Sequence, residues 1–169
     1  MLKKLSIIFG LVLISFAIQS HSKIIQVVPP KAINSESVVD RIEVIDFAKK
    51  YLGTKYKYAG ADPQTGFDCS GFVHFVFKNF NINLPRGSRE YKYLEPAIQP
   101  EEFKVGDVLV FYGYKESSRI GHVGIICKAD GMKSEFIHSS SGKAYGVTIS
   151  KLDSKMYTRR FYKCINVID

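Results

Sequence analysis

The chain has 169 residues, 46% of them hydrophobic and 24% charged, with a formal net charge of +8. That length gives one domain a sizeable core but is short for two, and the composition excludes a disordered or low-complexity chain. A basic balance suits an anionic surface, but Lys and Arg are spread along the sequence with no dense patch, which reads as a solvated surface and not as a nucleic-acid site.

The chain opens on a leader. MLKK is basic, LSIIFGLVLISFAI runs 14 residues without a charge, and QSHSK offers Ser20 and Ser22 at a −3/−1 spacing. This is the pattern of a secretory signal peptide over residues 1–22, and the apolar run is short for a membrane span. A retained N-terminal anchor is the alternative. No cysteine follows the run, so no lipoprotein anchor is expected. The expected location is the periplasm or the medium, with no stable membrane anchor after cleavage. Residues 23–37, with VPPKAINSES, read as a linker or arm.

A single domain is expected over residues 38–169. Ser37 looks like a helix N-cap, with Asp40 three residues on. Val39, Ile42, Ile45, Phe47 and Ala48 then recur at helical spacing, and Gly53 marks the stop. The loop TKYKYAGADPQTG follows. A second helix is predicted from about Ser70 to Phe80, with Phe72, Val73, Val76, Phe77 and Phe80 on one face and Ser70, His74 and Lys78 on a polar stripe. NINLPRGS breaks it. VGDVLVFY, HVGIIC, SEFIHSS, GVTIS and RRFYKCINVI read as strands. Helices first and strands later is the pattern of an α+β domain, with helices packed on a mostly antiparallel sheet.

The chemistry centres on GFDCSGFVHFVF, residues 66–77. An odd count of three cysteines leaves at least one free thiol. Cys127 and Cys164 fit as buried small hydrophobes, with a bridge between them left open. Cys69 stands at a helix start, where unpaired N–H groups and the positive dipole end favour a thiolate and can stabilise an oxyanion. Asp68 opposes that thiolate, so its carboxylate is expected to cap the helix or to meet a cation on a substrate. A nucleophile needs a base. His74, five positions on, lies about 7.5 Å along the axis and roughly 140° around it, out of reach. His21 belongs to the leader. His122 and His138 remain, each in a strand segment. Zinc is the competing use of one Cys and two His, but separations of 53 and then 16 residues match no compact zinc pattern. From the residues alone, a Cys–His enzyme and a core cysteine stand about level.

Seven segments in order tip the balance. AKKYLGTKYKYAG, GFDCSGFV, LPRGS, FKVGDVLVF, GHVGI, FIHSS and YTRRFYKCINVI together resemble the NlpC-type cell-wall peptidases, a bacterial branch of the papain-like cysteine peptidases. The resemblance covers about Val38 to Ile168. It implies a papain-like core with Cys69 as nucleophile, His122 as general base and His138 as the residue that orients His122. Tyr56 would help form the oxyanion site, and Asp68, Ser70 and Arg86 would meet the substrate, with a structural salt bridge as the other use of Arg86. Tyr58 stands where the family has Trp, Ala59 where it has Gly, and REYKY replaces the segment that carries a Gln.

The implied reaction is hydrolysis of peptidoglycan stem peptides at the γ-D-glutamyl–diamino acid bond, without metal or cofactor and by a monomer. The alternatives are the D-Ala–diaminopimelate cross-link, acyl transfer to lipids, and a non-catalytic cell-wall-binding protein.

Overall fold

The computed structural model describes residues 39–115 and 118–168. The expected leader, the arm and Ser37 lie outside the described residues. Helix α1 spans Arg41–Lys49, and its cap is Asp40, whose carboxylate accepts the Ile42 N–H at 2.7 Å. The cap therefore sits three residues after the predicted one: Asp40 is itself a strong capping residue and not the closing member of a box. Val44, Ile45 and Ala48 form the buried face, and Gly53 turns the chain with φ +82°.

The Tyr- and Gly-rich loop is more ordered than its composition suggests. It holds a minimal antiparallel pair, β1 (Ala61–Asp62) with β2 (Gly66–Phe67), too short to leave a period in sequence. Ala59, in place of a glycine, adopts φ 57°. Helix α2 then runs Cys69–Lys78 and buries Phe72, Val73, Val76 and Phe77. The predicted polar stripe fails at Ser70, which is only 4% exposed. After the Pro85 break, residues 88–93 form a 3-10 turn that buries Tyr91 completely.

Five strands follow: β3 (Val108–Tyr112), β4 (Ile120–Lys128), β5 (Glu135–Ser140), β6 (Gly146–Lys151) and β7 (Phe161–Ile165). They pair in the order β6-β5-β4-β3-β7, every pair antiparallel. The α+β expectation holds. The predicted last strand gives up its first residues to a short helix, α3 (Lys155–Arg160), whose single turn and a half is too brief to declare itself by periodicity.

The sheet is buried on both faces. Val108, Val110, Val123, Ile125 and Ile137 face α1 and α2, while Leu109, Phe111, Ile126, Phe136 and Cys164 form the other face, packed with Leu152 and Tyr157. Successive side chains alternate between faces, so β3, VLVFY, reads as an unbroken apolar run. All three cysteines are free thiols. Cys127 and Cys164 sit on strands β4 and β7, with β3 between them. Two strand spacings, about 9.6 Å, exceed the reach of a disulfide.

Candidate active site

Asp68 caps α2 by accepting the Gly71 N–H at 2.6 Å, which makes Cys69 the first helical residue. The cation expected near Asp68 is supplied by the chain itself. Arg86 donates from both terminal nitrogens, Nη1 to Oδ1 at 2.9 Å and Nη2 to Oδ2 at 3.0 Å. Its Nη2 also reaches the Gly60 carbonyl at 3.0 Å, and Ser70 Oγ lies 3.4 Å from Asp68 Oδ1 and from Arg86 Nη1. Asp68 and Arg86 thus form a forked ion pair that joins helix, loop and the LPRGS segment. The approach is close: a Cβ on Gly71 would meet the Gly60 carbonyl oxygen at 2.0 Å. That is the physical need for glycine two residues after the cysteine.

The helix start packs against β4. Cys69 Sγ lies 4.0 Å from the Gly121 carbonyl, and the Val123 N–H also acts on the sulfur, so the thiol faces the backbone on both sides of His122. His122 Nε2 lies 2.9 Å from His138 Nδ1, with the rings nearly perpendicular. That leaves His122 Nδ1 as the ring nitrogen outside this pair. His138 is fully buried, and His122 is 9% exposed. Gly124 makes room for the pair, since a Cβ there would meet the Phe136 ring at 2.5 Å and His138 Cβ at 3.0 Å.

The electrostatics differ from the simple helix-start expectation. Burial, and then Asp68, push the Cys69 thiol up to about 11, while the N–H groups of Val123, Ser70 and Cys69 act the other way. Burial lowers His122 well below the usual imidazole range, with His138 and Arg160 adding to it. His138 is lowered to about 3, by burial and then by Arg160. These shifts favour the neutral form of the thiol and of both imidazoles. The helix dipole is real, but removing the sulfur from water outweighs it.

A cleft of about 780 Å³ opens over Cys69, and Tyr56, Asp68, Ser70 and Arg86 line it. Five of the seven expected site residues therefore line one cleft, while His122 and His138 sit on β4 and β5, outside its lining, with their rings against Phe111, Phe136 and Tyr157. Arg89, Lys115 and Arg119 also line the cleft, so basic residues scattered in sequence gather at its rim. His74 points elsewhere: its Nδ1 donates to the Leu84 carbonyl at 2.7 Å. Sequence reasoning missed Ser139, whose hydroxyl donates to the Phe67 carbonyl at 2.7 Å and holds the loop before Cys69 onto β5. It also missed Tyr91, buried where REYKY departs from the family, with a hydroxyl that finds no hydrogen-bond partner among the described residues.

The sequence pattern of the NlpC/P60 family matches residues 53–166. The chain belongs to the NlpC/P60 family. The matched segment begins at Gly53, after α1, and spans the Cys69 helix and all five strands of the large sheet. The chain is 32% identical over 136 residues to the probable endopeptidase NlpC of Escherichia coli (strain K12), covering 80% of this chain and 83% of that protein. It is 32% identical over 111 residues to the gamma-DL-glutamyl hydrolase of Bacillus subtilis (strain 168), covering 66% of this chain and only 26% of that one. In the crystal structure of an NlpC/P60 family protein from Bacillus cereus ATCC 10987, the fold recurs with a TM-score of 0.69 at 27% identity, over 78% of this chain and 41% of the other. The NlpC/P60 domain of this chain thus has the papain-like α+β fold, and the longer relatives carry residues beyond it.

Proposed function

We propose that this chain is a cysteine peptidase that hydrolyses amide bonds in peptidoglycan stem peptides, at the bond between γ-D-glutamate and the diamino acid. The observation that carries the reading is the free thiol at the start of α2, facing the backbone around a histidine whose Nε2 is hydrogen-bonded to a second histidine. A hydrolase of gamma-DL-glutamyl bonds among the relatives supports the choice of bond.

Cys69 is the nucleophile and His122 the base. Because both rest neutral, the proton passes from Sγ to His122 Nδ1 as sulfur bonds to the carbonyl carbon. The oxyanion forms beside the N-terminal amides of α2 and Tyr56. The carbon–nitrogen bond then breaks, the leaving amine takes the proton from His122, and a thioester remains. Water, deprotonated by His122, attacks that thioester. The sulfur leaves and regains a proton. His138 orients His122, and Asp68, Ser70 and Arg86 shape the wall against which the stem peptide lies. Delivery to the wall belongs to the expected signal peptide over residues 1–22, with residues 23–37 as the arm.

Purified sacculi incubated with the protein, and read by mass spectrometry, test this. New amine termini at the diamino acid are expected, and Cys69→Ala is expected to lower the rate by at least about a thousandfold. Sacculi left intact by the wild type, or lysis that survives Cys69→Ala, would refute it.

A further inference from the structure

The hydrogen bonds do not stop at His138. Its Nε2 lies 3.0 Å from Ser150 Oγ on β6 and 3.4 Å from the Tyr157 hydroxyl on α3. The Tyr157 phenol also interacts with the hydroxyls of Ser150 and Ser140. Ser140 Oγ in turn accepts the Gly142 N–H at 3.1 Å. A polar row therefore runs from His122 across β5 and β6 to α3, through a part of the molecule where Phe111, Phe136 and Leu152 are fully buried.

The 2.9 Å link between the two histidines can hold one proton. A neutral imidazole has one N–H and one bare nitrogen. If the proton sits on His122 Nε2, His122 Nδ1 keeps its lone pair and can accept the thiol proton. If it sits on His138 Nδ1, the hydrogen of His122 moves to its own Nδ1 and the base is blocked. The choice is made at the far end. A His138 with bare Nδ1 holds its hydrogen on Nε2 and needs an acceptor there. Ser150 Oγ is the nearest oxygen, and the Tyr157 phenol can take the serine's own hydrogen, leaving the Ser150 lone pairs facing the ring.

We propose that Ser150, backed by Tyr157, is a positioning residue that fixes the tautomer of His138 and, through it, the base-competent tautomer of His122. The proposal rests on the reading of His122 as base. It adds to that reading the two residues that decide whether the base is available. The family resemblance assigned neither a role: Ser150 closes GVTIS, which was no part of it, and Tyr157 only opens the closing segment YTRRFYKCINVI.

Nitrogen-15 NMR of the wild-type protein, labelled at histidine, reads the protonated nitrogen in each ring directly. The expected spectrum has the hydrogen on Nε2 of both His122 and His138; a hydrogen on His138 Nδ1 overturns the proposal whatever the variants do. Ser150→Val removes the acceptor. It is expected to mix the tautomers of both rings and to lower kcat about tenfold, the effect of one lost neutral hydrogen bond, with KM unchanged. Ser150→Thr keeps the oxygen and is expected to restore both. Unchanged tautomers in Ser150→Val, or no rescue by Thr, would sink the idea. Failure of the peptidase reading shows up separately, as an activity that survives Cys69→Ala, and leaves the spectra untouched.

Discussion

At the scale of single residues, the state of Cys69 decides how the site works. A helix start alone favours a thiolate. Here the sulfur is partly buried at the floor of the cleft, against helix and strand backbone, and Asp68 stands immediately before it. Burial and that carboxylate hold the thiol at about 11. The Asp68–Arg86 pair returns little, because the guanidinium is already committed to the carboxylate at 2.9 and 3.0 Å. The expected behaviour toward a small alkylating agent follows. With iodoacetamide, the rate of Cys69 modification should keep rising from pH 7 through pH 9, as the thiolate fraction grows. A preformed thiolate–imidazolium pair would instead give a flat rate over that range. Mass spectrometry of quenched samples, resolving the Cys69 peptide from the Cys127 peptide, distinguishes the two. Asp68 thus has two structural tasks, capping the helix and holding Arg86, and both concern placement of the thiol more than its activation.

At the scale of elements, the site is a junction between the start of α2, the loop ending at Gly60, and β4. The junction depends on backbone-to-backbone approach. Gly71 lies against the Gly60 carbonyl, while Arg86 ties the same carbonyl to Asp68. Gly71→Ala adds one methyl group where neither helix nor loop can yield without breaking the ion pair. We expect a loss of stability of about 1–3 kcal/mol, the usual cost of overpacking, together with a fall in activity larger than the loss of folded protein explains. Urea denaturation and kcat measured on the same preparation check both; full activity in a stable Gly71→Ala variant would contradict the packing argument. This junction also marks where sequence reading reaches its limit. Helix α2, whose start lines the cleft, and the strands of His122 and His138 were legible because their apolar residues recur at helical spacing or form runs bounded by turn signals. Arg86 was left open between a substrate contact and a structural bridge, and Asp68 was not named as its partner, since 18 residues of loop and helix separate the two. Ser150 and Tyr157 were invisible for the same reason: each meets His138 only through the pairing of β5 with β6 and the fold of α3 back onto the sheet. The exchange of the expected Ser37 cap for Asp40 is smaller, because two good capping residues stand close together and only tertiary packing sets where the helix begins.

At the scale of the whole molecule, two uncharged histidines occupy the middle of a sheet covered on both faces, and this ties stability to pH. His138 is fully buried and titrates at about 3, and His122 is also held well below its ordinary value of 6.5. In the unfolded chain both rings bind a proton once the pH falls below about 6.5. The folded chain does not bind them until far lower. Between those values the unfolded state carries more protons, so stability falls as pH falls, by up to about 1.4 kcal/mol per pH unit for each histidine. The loss begins near 6.5, and the contribution of His138 levels off only near 3. The window from pH 6.5 to 5 isolates this effect, because ordinary carboxylates remain ionised there. Urea midpoints measured across it should drop steeply in the wild type. A His122→Gln, His138→Asn double variant, though less stable at pH 7, should show a nearly flat profile over the same range. Equal slopes in the two proteins would mean that the histidines are not buried as neutral rings. If the slopes differ as expected, the same result bears on function. Because burial holds His122 well below its ordinary value, acid is expected to curtail activity first through unfolding and only at lower pH through titration of His122. Activity at pH 5 should then recover when stability is restored by a neutral osmolyte, which strengthens burial without altering the charge of either ring.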